Sequence, residues 1–245
     1  MDGYDETTYG ERFADVYDDW YGDLTDTDAC VATVADLAAG GAVLELGVGT
    51  GRLAVPLAAR GLAVTGVDAS PTMLDALAAK PGGDRVRAVL GDMADPPTGD
   101  DRYAVVLVAY NTLFNLVDDG AQARCLRAAA ARLTTGGCVV IEAFVPDDDA
   151  GAADVVAPKQ VTADRVVLSV SRSDPARQEV LGQYVELTEA GGVRLRPWHL
   201  RWATVDQLDA MAAAAHLRPT SRWRDWHRTA FADDAGAHIT VYRRN

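Results

Sequence analysis

Three glycines at alternate positions, Gly47, Gly49 and Gly51, stand between the apolar run Val43-Leu44-Glu45-Leu46 and a second apolar stretch that opens at Leu53. Without a Cβ, glycine lets the chain turn sharply and brings backbone N–H groups close to a bulky ligand. Further on, Val64-Thr65-Gly66-Val67 ends in Asp68, at the spacing of about twenty residues where a nucleotide-binding βαβ unit places a carboxylate on the ribose diol. Together these features predict a ligand that contains a nucleoside. A dinucleotide loop requires Gly-x-Gly-x-x-Gly, with a pyrophosphate at the helix N-terminus. Here Arg52 takes the third-glycine place, which makes NAD the lesser reading and an NAD-dependent oxidoreductase the lesser function.

The run Glu45-Leu46-Gly47-x-Gly49-x-Gly51-Arg52, followed by Gly66-Val67-Asp68-x-Ser70, resembles motif I and its successor strand in class I S-adenosylmethionine (SAM) methyltransferases. The resemblance implies that the glycine loop, flanked by Glu45 and Arg52, receives the methionine portion of SAM, and that Asp68, with Ala69 beside it, binds the ribose. Gly91-Asp92-Met93 resembles motif II, which implies that Asp92 reaches the adenine amino group and the Met93 N–H a ring nitrogen; a surface Asp in a turn is the plainer alternative. Met73 stands where family members set an apolar residue against adenine, and fits a core methionine equally well. Leu133-Thr134-x-Gly136-Gly137 is similar to motif III. Asp95-Pro96-Pro97-Thr98 is similar to the Asp-Pro-Pro-Tyr of nucleic-acid amino-methyltransferases only on the surface: it precedes the fourth strand, and threonine replaces the stacking aromatic.

These groups need elements to hold them. The apolar run from Tyr103 to Ala109 suits the centre of a parallel sheet, and ligands in open α/β sheets bind beyond the carboxyl ends of strands. Tyr110 is therefore placed to cover the cofactor. Asn115 occupies a position that faces substrate in similar sugar-amine methyltransferases, and could orient an acceptor or be an ordinary loop asparagine. Tyr9, Phe13, Tyr17 and Tyr21 recur every four residues, predicting a helix that packs on the core. Ala14-Asp15-Val16-Tyr17-Asp18-x-x-Tyr21 also resembles a segment of related methyltransferases, and that resemblance implies the other reading, a lid over residues 1–29 that lends Tyr21 to the active site. Segments 165–172, 178–187 and 193–202 alternate apolar and polar residues between turn signals. They predict a three-stranded antiparallel insertion within 155–203, resembling the cover of amino-sugar N,N-dimethyltransferases. His199, in Trp198-His199-Leu200, is the candidate to touch the acceptor or take its proton because imidazole titrates near neutrality; a structural strand histidine is the alternative. Glu142 lies within the fifth strand and is assigned no chemistry.

A chain of 245 residues with 49% hydrophobic composition can bury one substantial core. One α/β domain is expected, a Rossmann-like seven-stranded sheet whose order, 3-2-1-4-5-7-6, comes from the resemblance. A formal charge of −13 and a pI near 4.6 argue against a nucleic-acid partner. The charge is uneven, with acids crowded before residue 29 and Arg194 to Arg228 rich in cations, so it does not fix the sign of the substrate. Cys30, Cys125 and Cys138 form no Cys-x-x-Cys pair, the four histidines show no ligand spacing, and no metal is expected. No apolar run is long enough for a membrane span and the acidic start lacks a secretory n-region, which predicts a cytoplasmic protein; monomer and homodimer both stay open. The function expected is SAM-dependent methyl transfer to a small molecule, at nitrogen before oxygen, with an amino sugar or other specialised metabolite as acceptor class. A SAM-binding protein that transfers no methyl group is the alternative.

Overall fold

The computed structural model describes residues 1–22, 26–147, 151–232 and 234–244; residues 23–25 of the expected lid lie outside them. The N-terminal segment carries α1 (Thr8–Phe13), α2 (Tyr17–Tyr21) and α3 (Thr27–Ala38). Strands and helices then alternate as β1 (Val43–Leu46), α4 (Ala54–Ala59), β2 (Val64–Asp68), α5 (Pro71–Ala79), β3 (Val86–Leu90), β4 (Tyr103–Val108), α6 (Ala121–Ala131) and β5 (Leu133–Phe144). A second sheet follows, built from β6 (Ala153–Val161), β7 (Arg165–Asp174), β8 (Glu179–Thr188) and β9 (Val193–Arg201), before α7 (Val205–Ala214), β10 (Leu217–Trp223) and β11 (Ala237–Arg244) close the chain.

The main sheet runs β3-β2-β1-β4-β5-β11-β10. Among the described residues β11 runs antiparallel to both β5 and β10, and the pairs from β3 to β5 are parallel. Counted within this sheet the order is 3-2-1-4-5-7-6, as expected. β1 and β4 are buried along their apolar runs because helices cover both faces. The order reverses between β1 and β4, and the crevice beyond their carboxyl ends is where such sheets bind ligands. Local signals fix the elements around that crevice. Ser70 Oγ accepts the Met73 N–H at 3.2 Å and Pro71 opens α5, and Thr204 and Gln207 form a reciprocal capping box on α7. All three cysteines are buried. Among the described residues no helix is long and apolar enough to cross a membrane.

Three expectations need correction. The aromatic stripe forms two helices, not one, because the chain leaves helical geometry at Val16 (φ −123°). The break frees Asp15 to meet Arg196. The insertion has four strands rather than three. Its missing member, β6, contains Pro158 and exposes both Val155 and Val156, so it lacks alternation; it is an edge strand, where proline costs little. Finally, a glycine pair such as Gly136-Gly137 reads in the sequence as the stop of the helix before it, yet α6 stops at Ala131 and the pair lies inside β5, at a register irregularity against β4.

Candidate active site

The glycine loop leaves β1 with Gly47, Gly49 and Gly51 all at positive φ (72°, 54° and 79°). A Cβ on Gly47 would stand 2.2 Å from Thr112 Cγ2, so this position is closed to any other residue on two counts. Asp68, at the carboxyl end of β2, closes the loop from the other side. Its carboxylate accepts the Gly49 N–H at 2.8 Å and the Ser70 N–H at 2.9 Å. Burial pushes its pKa up, against the pull of these backbone donors.

These residues border a cleft of about 680 Å³, lined by Gly47, Gly49, Asp68, Ala69, Met73, Asp92 and Met93, with Glu6, Tyr9, Gly10 and Tyr17 of the N-terminal segment across it and Thr112, Asn115 and Leu116 at one end. The N-terminal segment is fastened here by specific bonds. A Cβ on Gly10 would meet Ser70 Cβ at 2.2 Å, so α1 lies directly on the start of α5. Glu11 accepts hydrogen bonds from Ser70 Oγ at 2.7 Å and Thr72 Oγ1 at 2.6 Å, which hold its carboxyl below the usual range. Asp18 accepts from Thr50 Oγ1 at 2.6 Å and Lys80 Nζ at 2.8 Å.

A second chamber, of about 720 Å³, opens from the same place. Tyr9, Tyr17, Thr112 and Asn115 line both spaces, and Tyr21, Tyr110, Asn111, Tyr184, Trp198 and Leu200 complete the second. The insertion sheet thus roofs the chamber from β8 and β9, while α2 and the turn after β4 form its sides. That turn is held in shape by Glu142, whose carboxylate accepts the Tyr110 N–H and the Trp226 Nε1–H, each at 2.8 Å. Tyr110 and Asn111 consequently sit at φ 45° and 63°. At the junction Asn115 Oδ1 is buried and, among the described residues, without a hydrogen-bond partner, an acceptor poised for a donor. Burial pushes Tyr17 up to about 12, against the nearby charge of Arg52, and Tyr9 and Tyr21 are raised by the same cause. All three phenols are neutral at physiological pH.

The other expected site residues fall elsewhere. Glu45 is buried behind the loop, and burial pushes its pKa up to about 8 despite the opposing charge of Arg52. Arg52 donates to Thr27 Oγ1 at 3.2 Å and stacks over Tyr110 at 5.9 Å. Gly51 packs under Leu77. Tyr21 and Tyr110 line the aromatic chamber and not the glycine cleft. His199 lines neither: successive side chains of a strand point to opposite faces, and since Trp198 and Leu200 face the chamber, His199 turns away, with Nε2 3.7 Å from Glu179 Oε2 and its ring edge on Tyr4. Burial lowers its pKa. Tyr9, Thr112 and Tyr184 were not singled out as site residues from the sequence, although Tyr9 shares the four-residue stripe with Tyr17 and Tyr21.

This fold, with a glycine loop after β1 at the topological switch point and a carboxylate at the end of the neighbouring β2, is that of a class I SAM-dependent methyltransferase. A methyltransferase-domain family matches residues 43–137. The cypemycin N-terminal methyltransferase of Streptomyces sp is 31% identical over 224 residues, covering 88% of this chain and 89% of the relative. The solved CcbJ methyltransferase of Streptomyces caelestis superposes with a TM-score of 0.92 at 41% identity, over 98% of this chain and 99% of that one. The sugar N-methyltransferase KedS8 of Streptoalloteichus sp shares the fold at 22% identity, with a TM-score of 0.67 over 94% and 92% of the two chains. The chain belongs to the methyltransferase family and is an enzyme whose cofactor is SAM. The cleft fits that cofactor, because the Gly47 cradle would be filled by any Cβ and the Asp68 carboxylate stands at its edge.

Proposed function

We propose that this enzyme methylates a nitrogen of a small-molecule acceptor, an amino sugar or another specialised metabolite, in the cytoplasm. The observation that carries this reading is the junction of the two chambers. There Tyr9, Tyr17, Thr112 and Asn115 border both the glycine cleft and the aromatic chamber, so a cofactor and an acceptor could meet across them.

SAM supplies an activated methyl group on a sulfonium, leaving the protein to hold the partners in line and exclude water. In this reading Gly47, Gly49, Asp68, Ala69, Met73, Asp92 and Met93 hold the cofactor. Tyr21, Tyr110, Tyr184 and Trp198 enclose the acceptor, and Asn115 accepts a hydrogen bond from it. The aromatic chamber is lined, among the described residues, by phenols, amides, the Thr112 hydroxyl, the Trp198 indole and Leu200, with no carboxylate or imidazole. A hydroxyl nucleophile needs a base within reach, whereas an amine that arrives neutral can lose its proton after attack. The choice of nitrogen rests on that difference, and the name of the cypemycin N-terminal relative accords with it. The N-terminal helices act as the lid, and His199 plays a structural part.

The test is incubation with methyl-deuterated SAM and fractionated cell extract, read by mass spectrometry after SAM binding has been verified. Label on an amine of a small molecule is the expected result. Label on oxygen only would overturn the nitrogen assignment, and no label in any small-molecule, peptide or RNA fraction would overturn the proposal.

A further inference from the structure

Lys159 is one of only two lysines among 23 basic residues. It stands where β6 slips against β7: Pro158 pairs with Leu168 and Gln160 with Val167, so Lys159 is the extra residue of a bulge. A bulge bends its strand and re-aims a side chain. This one aims the ammonium at three rings, 5.1 Å from the centroid of Trp20, 5.3 Å from Tyr21 and 5.0 Å from Tyr184. Two of the rings come from α2 and one from β8, so the cage exists only when the N-terminal segment and the insertion meet. Tyr21 and Tyr184 also line the aromatic chamber. The other lysine, Lys80, is paired with Asp18, whereas among the described residues no carboxylate forms an ion pair with Lys159. Its burial lowers its pKa.

Rings arranged around one cation are how proteins recognise alkylated ammonium groups. We propose that Trp20, Tyr21 and Tyr184 form an ammonium seat at the margin of the aromatic chamber, filled by Lys159 as an internal plug and taken over by the alkylammonium group of the methylated product, or by an ammonium of the acceptor other than the neutral nitrogen that attacks. The natural occupant rests on the nitrogen assignment above; the seat itself does not. A plug lowers apparent affinity by the fraction of time it occupies the seat, so it favours acceptors that bring further contacts over simple amines.

Tetramethylammonium is the probe, with tert-butanol as its uncharged counterpart, titrated into the full chain by calorimetry. Lys159→Met should bind tetramethylammonium about tenfold or more tighter than wild type, Lys159→Arg no tighter, and Lys159→Met with Trp20→Leu should lose the gain; SAM affinity reports that each variant is folded. A second measurement uses the unmutated chain with its lysines reductively dimethylated with ¹³C. The Lys159 methyl signal should lie upfield under the three rings and return to its solvent position as tetramethylammonium is added. Lys159→Met binding no tighter than wild type, no preference over tert-butanol, or an unshifted Lys159 methyl signal would each overturn the seat. Transfer of label to hydroxyls alone overturns the nitrogen assignment, while the tetramethylammonium titration still decides the seat.

Discussion

The carboxylate of Glu11 accepts the Ser70 hydroxyl at 2.7 Å, so the residue that caps α5 behind Asp68 also anchors the helix lying across the cofactor cleft. Glu11→Ala removes this tie and those to Thr72. SAM affinity is expected to fall about threefold to tenfold, the worth of a charge-assisted bond at a partly exposed site, and trypsin should release the N-terminal segment faster. In wild type, protection of that segment by SAM supports the lid. Equal cleavage with and without SAM would count against it.

Arg196 is only 2% exposed, and its guanidinium donates to Asp15 Oδ1 at 2.6 Å and Glu186 Oε2 at 3.0 Å. It joins β9 to the break between α1 and α2. Arg196→Met leaves Glu186 with Arg165, at 3.3 Å, and takes the buried guanidinium from both Glu186 and Asp15, at a cost of about 3 kcal/mol. In a chain of this size calorimetry should record a Tm lower by about 6–12 °C.

Gly47→Ala should abolish measurable SAM binding, because φ 72° and the Thr112 methyl group both oppose the new Cβ. Thr112→Ser removes the colliding methyl and leaves the backbone penalty of about 1–2 kcal/mol. Calorimetry on the double variant should therefore recover part of the binding lost in the single one. No recovery would mean that backbone strain alone decides the position.

Asn115→Ala should lower kcat/KM for the acceptor about tenfold with SAM affinity unchanged, since it removes the unpartnered acceptor atom at the junction. His199→Gln should leave kcat within about twofold, as its ring faces away from the chamber. A hundredfold loss of kcat in His199→Gln, with SAM binding intact, would restore the imidazole as the proton acceptor.

His238 is 1% exposed and its pKa is lowered to about 4 by burial and by the charge of Arg222, against Asp209. The unfolded chain protonates this ring near pH 6.5 and the folded chain does not until about pH 4, so between these values the unfolded state binds more protons. The stability contributed is present in full above pH 6.5 and is lost as the pH falls through 4. His238→Gln keeps a hydrogen-bonding group beside Thr240 and cannot titrate. Its Tm should fall less than that of wild type between pH 6.5 and 4, and parallel curves would refute the assignment.

Much of this was legible in the chain itself. Glycine spacing, the carboxylate at the end of β2, the Ser70-Pro71 cap, the Thr204 to Gln207 capping box and the long apolar runs act over a few residues, so the sequence determined most of the alternating elements and the glycine loop, while the class of reaction came through the resemblance those motifs carry. The place of the closing strand pair in the sheet came through the resemblance. Tertiary structure decided what depends on elements distant in sequence. The break in the stripe at Val16 sets Asp15 against Arg196, 181 residues away. His199 looked suited to chemistry by type, yet the register of β9 against β8 gives the chamber to Trp198 and Leu200. The Lys159 cage comes from a bulge in a strand whose Pro158 and exposed valines hid it. Side-chain chemistry is written residue by residue, but which face of a strand meets a cavity is fixed only when the two sheets and the N-terminal helices pack.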